Sequence, residues 1–244
     1  TSSALQVPLS LWNERDFWTA EQKELGLQGI YFGIMLVMVL YNLFLFYSVR
    51  DSAYLLYVLF ISSFATFQLT VHGLAYQYLW HWSPLFNEKV LMLSISASIA
   101  FSFWFVTKVL KTSESHPWLH KAINILAIFA GCSMLATPFL SYQSSIYGSI
   151  LFSITGCCLC LTAGVLRWRD GYTPARYYTI AWFSLLIGAS FFSLSKFGLL
   201  PRNFLTENAI QIGSALDAIL LSFALADRIN ITRKEKDVAQ AQAL

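Results

Sequence analysis

Seven stretches of mostly apolar residues alternate along the chain with short polar or turn-forming connections. A helix needs roughly 20 apolar residues to cross the hydrocarbon core of a bilayer, about 30 Å thick, and it satisfies its backbone amides without water. Each stretch has about that length, so the pattern predicts seven membrane-spanning helices. We place them near residues 25–48, 54–74, 86–107, 122–140, 145–166, 177–197 and 206–229.

The two ends of the chain have different patterns. Apolar residues alternate with others from Leu5 to Leu11, which predicts the last strand of a preceding domain, and a short polar segment, read as a helical entry, follows from Asn13 to Glu24. Residues 226–244 contain no Gly or Pro, so we expect the last span to continue as a charged helix. The predicted organisation is a domain end with an entry segment (1–24), a bundle (25–230) and the start of a further helix (231–244).

The composition favours a membrane protein over a soluble one. Hydrophobic residues make up 57% of the 244 residues and charged residues only 12%, with a mean hydropathy of +0.57. Soluble domains carry about 25% charged residues, and a soluble fold of this length could not bury so much apolar surface. The net charge of +3 follows from basic residues gathered on one side of the membrane, so it indicates no nucleic-acid partner.

Lysine and arginine predict the orientation, because cytoplasmic loops carry them in excess. Of the 16 in the chain, 11 lie on the side of the C-terminus, which leaves 5 on the opposite side. With an odd number of spans, this places the N-terminus outside and the C-terminus in the cytoplasm. The predicted fold class is therefore an all-α seven-transmembrane helix bundle. The 11 residues are Arg50, Lys108, Lys111, Lys121, Arg167, Arg169, Arg176, Arg228, Arg233, Lys234 and Lys236.

Asp217 is the one acid well inside a predicted span. A carboxylate at that depth costs about 2.5 to 3.5 kcal/mol on insertion scales, so it should face the interior of the bundle. Gln211 and Ser214 precede it at three-residue steps, and Glu207 opens the span on the same broad side. We expect either a ligand-binding or switching position or an internal hydrogen bond. Asn42, in the first span, is a further candidate for an interhelical hydrogen bond.

The first span carries a small-residue motif. Gly29 and Gly33 form a G-x-x-x-G, and Gly26 extends the same face. Such faces let helix backbones approach closely, so we expect close packing inside the bundle or a seam between two copies. A homodimer through the C-terminal helix would also be compatible with the sequence. However, Ile231, Val238 and Leu244 offer too few heptad positions to predict a coiled coil.

Several functional classes can be excluded from the sequence. A retinal protein needs a lysine inside the last span, an intramembrane aspartyl protease needs a second buried acid, and neither is present. There is no H-E-x-x-H for zinc and no G-x-x-x-x-G-K-[ST] for nucleotide phosphates. We therefore expect no catalytic residues, no metal site and no cofactor in this chain.

Four motifs, in order, resemble those of one family. These are GIYFG at 29–33 running on to YNLFLF at 41–46, RD at 50–51 with YLLY at 54–57, GLAYQYLW at 73–80, and GSALDAILLSFALADRIN at 213–230. Together they resemble the bacterial seven-transmembrane receptors with diverse intracellular signalling modules. The resemblance covers nearly the whole chain. The family often has glutamate where this chain has Asp217, which keeps an acid but shortens its reach.

The resemblance implies a role in signalling across the bacterial inner membrane. Such receptors carry a periplasmic sensor domain before the first span and a histidine kinase, a diguanylate cyclase or a related output module after the last. The strand from Leu5 to Leu11 would be the end of that sensor, and Asp227 and Arg228 would begin the output helix. The leading hypothesis is thus a membrane relay. A carrier or channel that uses Asp217, and a passive membrane anchor, remain as alternatives.

Overall fold

The computed structural model describes residues 13–140, 142–201 and 203–242, and its regular elements in those ranges are all helical. The strand predicted from Leu5 to Leu11 lies outside these residues. The helices are α1 Glu14–Val49, α2 Ser52–Val71, α3 Leu74–Tyr78, α4 Pro84–Val109, α5 Thr112–Ser115, α6 Pro117–Ala136, α7 Tyr142–Arg169, α8 Thr173–Lys196, α9 Phe204–Glu207 and α10 Ala209–Gln242, with a 3₁₀ turn at Thr137–Phe139.

Seven helices in the described ranges are long and apolar enough to cross a membrane: α1, α2, α4, α6, α7, α8 and α10. This confirms the predicted all-α class with seven candidate spans. The boundaries differ most where the first span begins and the last one ends, since α1 begins at Glu14 and α10 continues to Gln242. Helix α10 begins at Ala209, after a break at Asn208. The fourth span ends early, at Ala136, where Pro138 removes a backbone donor and a 3₁₀ turn follows.

Local side-chain bonds set several helix starts. Asp51 precedes α2 and accepts a hydrogen bond from the amide of Ala53 at 2.9 Å. Ser83 accepts one from the amide of Phe86 at 3.2 Å, at the start of α4. These side chains satisfy amides that have no partner within the helix. Gly171, between α7 and α8, has a φ of 82°, a left-handed conformation that glycine adopts without strain.

Helix α4 lies at the centre of the bundle and is the most buried of the seven. It contacts α2, α6, α7 and α10, while α1 packs on α2 and α10, and α8 packs on α7 and α10. Large side chains such as Tyr57, Phe103, Phe105 and Tyr178 are fully buried between these helices. Many other large apolar side chains point outward and are exposed, as expected for a surface that lipid covers.

The two ends of the bundle can be named by residues that meet there. At the Arg228 end, Asp51 meets Arg228, and the α4–α6 connection meets α7 and α10. At the His72 end, His72 meets Gln28 of α1 and, through it, α10. Helices α1 and α10 therefore run in parallel from the His72 end to the Arg228 end.

Helices α8 and α10 approach each other closely at two glycines. A Cβ added at Gly188 would lie 2.4 Å from the carbonyl oxygen of Ala209, and one at Gly213 would lie 2.6 Å from that of Ser184. Only glycine at both positions allows the two backbones to come this close. Helix α10 is consequently held against α8 near the His72 end.

Candidate functional site

Helix α10 buries a series of polar side chains that face α1 and α2. Gln211, Ser214, Asp217 and Ser222 are each less than 10% exposed. Buried polar groups in a membrane protein need partners, because the hydrocarbon offers none. We call these four residues, with their partners Gln28, Tyr31, Asn42 and Tyr57 on α1 and α2 and with His72, which contacts Gln28, the polar track.

The polar track begins at the His72 end. Gln211 donates from Nε2 to Oε1 of Gln28 at 2.8 Å, and Nε2 of Gln28 lies 3.3 Å from Nδ1 of His72. Burial lowers the pKa of His72, and the positive charge of Lys196 lowers it further. The imidazole therefore favours its neutral form, which can accept from Gln28. This chain of contacts links α1, α10 and the residue that ends α2.

Two tyrosines continue the polar track towards the middle of the bundle. Ser214 donates to the carbonyl of Gln211 at 3.1 Å, which leaves its oxygen free to accept from the hydroxyl of Tyr31 at 3.0 Å. Tyr57 of α2 donates to the carbonyl oxygen of Ala218 at 2.7 Å. Interhelical hydrogen bonds in membranes average about 0.6 kcal/mol each. Each of these contacts by itself thus contributes little to stability.

Asp217 lies between these two contacts and is 2% exposed. Its Oδ1 is buried and has no hydrogen-bond partner among the residues that the structure describes. The hydroxyls of Tyr31, Tyr57 and Tyr178 are close enough for Asp217 to act on them electrostatically. The acid therefore faces the interior of the bundle.

The polar track ends near the Arg228 end. Asn42 is fully buried and donates to the hydroxyl of Ser222 at 3.2 Å and to the carbonyl of Met38 at 2.9 Å. Beyond it, Nη1 of Arg228 donates to Oδ2 of Asp51 at 2.7 Å. The Oδ2 atom of Asp227, next to Arg228, is buried without a partner in the described ranges. Polar contacts thus accompany α10 along the whole depth of the bundle.

One further ion pair holds the part of α10 that leaves the bundle. Nζ of Lys111, just after α4, lies 3.3 Å from Oε2 of Glu235. Nearby, Arg167 of α7 is 7% exposed, donates from Nε to the carbonyl of Leu110 at 2.7 Å and stacks over the ring of Tyr172. This arrangement orders the connections around the extension of α10.

The structure separates Glu207 from the other predicted candidates. It is exposed and ends the short helix α9, whereas Gln211, Ser214 and Asp217 are buried on α10. The expectation of one polar side that includes Glu207 is wrong, because the helix breaks at Asn208 and restarts at Ala209. The buried set consists of the other three residues, with Ser222 in addition.

The glycine motif of the first span does not pack inside the bundle. Gly26, Gly29 and Gly33 are exposed, and a Cβ at any of them would meet no described atom within 4 Å. The expectation of close packing within the bundle is therefore wrong for these glycines. Their face points outward because α1 buries the opposite side, which carries Gln28, Tyr31, Met35 and Asn42.

Several residues of the polar track were not predicted from the sequence. Gln28 and Tyr31 recur with Met35 and Asn42 at steps of three, four and seven, which is the spacing of one helix face. That spacing could have placed Gln28 and Tyr31 on the same face as Asn42 from the sequence alone. Tyr57 gave none, since it bonds a backbone carbonyl of α10 and tyrosine is common in both core and interface positions.

The described residues contain no group of three or more His, Cys, Asp and Glu side chains that could hold a metal ion. Three of the four histidines bond nearby polar side chains; His72 lies against Gln28, His116 against Oδ2 of Asp170 at 2.9 Å and His120 against Thr112 at 2.9 Å. The site is built from interhelical hydrogen bonds and ion pairs. It can therefore couple helix positions.

Comparison with protein families gives a match over residues 24–228 to the model described as 7TM diverse intracellular signalling. The matched range covers α1 from Glu24 onward and the other six candidate spans as far as Arg228, and with them the polar track and the pair between Asp51 and Arg228. Comparison with curated proteins and with solved structures gives no match.

Proposed function

Because this chain belongs to the 7TM diverse intracellular signalling family, we propose that it is the membrane relay of a bacterial sensor in the inner membrane. Membership implies a role in signalling at a membrane, and the matched region is a membrane domain. The relay would receive a periplasmic or intramembrane stimulus. It would pass the stimulus to a cytoplasmic output module of the histidine kinase or diguanylate cyclase type.

The observation that carries this proposal is the path of α10. Its 34 residues correspond to about 51 Å at 1.5 Å per residue. Polar contacts position the helix along the bundle, from Gln211 to Arg228, and it then continues to Gln242 without interruption. A stiff helix transmits a shift made at membrane depth to its far end.

The distribution of positive charge supports the orientation that the relay needs. Arg50, Lys108, Lys111, Arg167 and Arg228 lie at the Arg228 end of the bundle, together with most other basic residues. Cytoplasmic loops carry such residues in excess. The Arg228 end would thus face the cytoplasm, where the output module would follow α10, and the His72 end would face a periplasmic sensor domain.

Signal transfer requires two arrangements of the bundle whose balance a stimulus changes. The polar track suits this requirement, since each of its interhelical hydrogen bonds contributes only about 0.6 kcal/mol. Asp217 has a buried oxygen without a partner among the described residues, while three tyrosines lie nearby. A second arrangement could bond this oxygen and release another contact of the track.

The proposal is tested by interrupting α10 beyond the bundle. In the protein that joins this chain to its output module, Arg233→Gly with Lys234→Gly should abolish the effect of stimulus on output, because two glycines break the helix. Arg233→Ala with Lys234→Ala is the matched control. It removes the same exposed charges and keeps the helix, so regulation should persist. Unchanged regulation in the glycine variant would rule out a relay through α10.

The buried acid also supports a second function, that of a carrier or channel. Asp217 is an ionisable group at membrane depth, a feature typical of ion and proton pathways. Flux of protons or small cations into vesicles that contain the chain, abolished by Asp217→Asn, would favour this function. The relay predicts no flux.

Exchange of the bundle for an unrelated one with the same topology distinguishes the relay from a passive anchor, since only an anchor would retain regulation.

A further inference from the structure

A cavity of about 320 Å³, partly open to the surface, lies between five of the seven long helices. This cavity is within the size range of small-molecule sites, about 300 to 1,000 Å³. Its walls come from α2, α4, α7, α8 and α10, including Phe64, Ser102, Phe103, Trp182, Ala189 and Ile210.

The cavity does not reflect loose packing of the bundle as a whole. Directly beside it, α7 approaches α4 so closely that a Cβ at Gly156 would lie 2.1 Å from the ring of Phe103. Phe103 itself lines the cavity and is 2% exposed. The helices are therefore in tight contact at one edge of the cavity and separated at its centre.

The lining determines which molecules the cavity can accept. It contains no charged side chain and is formed mostly by aromatic and aliphatic groups. The hydroxyls of Ser98 and Ser102 donate to the carbonyls of Ile95 and Ile99 in their own helix, both at 2.8 Å. These serines have thus used their hydrogens and offer only weak acceptors. A charged ligand would find no described side chain of opposite charge in this lining and would lose its hydration.

We propose that this cavity is a binding site for an uncharged, mostly hydrocarbon molecule, either the acyl chain of a membrane lipid or a free hydrophobic compound. Transfer of such a molecule from water into an apolar site is favourable. Inside the cavity it would make van der Waals contacts with the walls. The occupant would contact Trp182 and Ala189 of α8 and Ile210 of α10.

Occupancy would also influence the relay, and this part rests on the proposed function. Ile210 immediately precedes Gln211, where the polar track begins. Helix α8 is fixed to α10 by the contact of Gly188 with Ala209 and of Gly213 with Ser184. A molecule between α8 and α4 would therefore press on the pair of helices that includes the output helix.

Binding can be measured without any output module. The probe is a ten-carbon fatty alcohol with an alkyl diazirine, added to the purified chain in nanodiscs and cross-linked by light. We expect saturable labelling of peptides from α4 and α8 that line the cavity, reduced by excess unlabelled decanol. Ala189→Phe fills the cavity and should reduce this labelling about tenfold or more, as steric changes in apolar pockets do.

The control is the neighbouring residue of the same helix. Ser190 is exposed and does not line the cavity, so Ser190→Phe adds the same ring outside and should leave the competed labelling unchanged. Ala189→Leu should give an intermediate loss, which guards against misfolding of the larger variant. Labelling that decanol does not reduce, or that is equal in all variants, would overturn the proposal.

A second arm identifies the source of the hydrocarbon. A phospholipid with a diazirine in its acyl chain replaces the free alcohol, with the same variants. Labelling of the cavity peptides that is sensitive to Ala189→Phe would assign the site to a lipid tail, and its restriction to the free alcohol would assign it to a free hydrophobe; either result supports the site. If labelling supports the binding site while the glycine variant of α10 still responds to stimulus, the relay proposal is wrong and the binding-site proposal stands.

Discussion

Arg228 and Asp51 are joined by a hydrogen bond of 2.7 Å from Nη1 to Oδ2, across 177 positions of sequence. Asp51 uses its other oxygen to cap α2 by accepting from Ala53. The two side chains are only 13% and 27% exposed. This pair lies where α10 leaves the bundle, so it ties the position of the extension to the start of the second span.

Loss of this charge pair should loosen α10 at its exit from the bundle. Asp51→Asn keeps an oxygen for the cap and removes the charge. We expect a loss of about 1 kcal/mol in unfolding free energy, since charge-assisted bonds exceed neutral ones and partial exposure weakens them. Unfolding in mixed micelles measures this loss. Spin labels at Ser113 and Asp237, both exposed, should show a broader distance distribution.

A double-mutant cycle checks that the effect belongs to the pair. Arg228→Gln should cost about as much as Asp51→Asn, and the double variant should cost little more than either single one. Fully additive losses would show that the two residues stabilise the bundle through separate contacts.

Hydrophobic length predicted the seven spans correctly because a bilayer sets the length of a helix that crosses it. The same pattern could not assign faces, since lipid and protein interior are both apolar. The outward direction of Gly29 and the break at Asn208, which separates Glu207 from Gln211, therefore became visible only in the structure. Asn42 and Asp217 could be predicted from the sequence because a polar group at membrane depth is costly and almost always faces the interior of the bundle.

The contact between α8 and α10 should be sensitive to a single methyl group. Gly213→Ala places a Cβ 2.6 Å from the carbonyl of Ser184, so one backbone must move. We expect a loss of about 1 to 3 kcal/mol, the usual range for overpacking. Resistance to denaturation by SDS in micelles measures it. Gly29→Ala is the matched control, because its Cβ meets no described atom and alanine favours the helix. Equal losses at both sites would refute the close contact.

Removal of the buried acid should stabilise the bundle while impairing signalling. An unpaired buried polar atom costs about 1 to 3 kcal/mol, and Oδ1 of Asp217 is such an atom among the described residues. Asp217→Leu should thus raise the unfolding free energy by about 1 kcal/mol. In the protein with its output module, this variant should no longer respond to stimulus.

Ser214→Ala provides a contrast of opposite sign. It removes the bond with Tyr31 and should lower stability by about 0.6 kcal/mol, the average for such bonds in membranes. A large destabilisation by Asp217→Leu would mean that the carboxyl group holds the bundle together.

Stability should fall in mild acid because of His72. Its pKa is lowered by burial and then by Lys196. Gln28 already accepts from Gln211 through Oε1, so its Nε2 must donate to Nδ1 of the imidazole. Protonation of Nδ1 would leave two hydrogen-bond donors, Nδ1 of His72 and Nε2 of Gln28, facing each other. The pKa of His72 is therefore lower in the folded protein than in the unfolded chain. The stabilisation by neutral His72 is fully present above the ordinary pKa of about 6.5, and it decreases as pH falls below that value.

Thermal unfolding between about pH 7.5 and pH 5 tests this direction, a window that spans the ordinary histidine pKa. The original chain should lose stability across the window, and His72→Gln should reduce the loss, because glutamine retains an acceptor for Gln28 and does not titrate. His81→Gln alters an exposed histidine outside the helices and should keep the original pH dependence. A profile that His72→Gln leaves unchanged would place the acid sensitivity elsewhere. If His72→Gln reduces the acid sensitivity as expected, proton uptake at His72 weakens the same contacts that fix α10 at the start of the polar track.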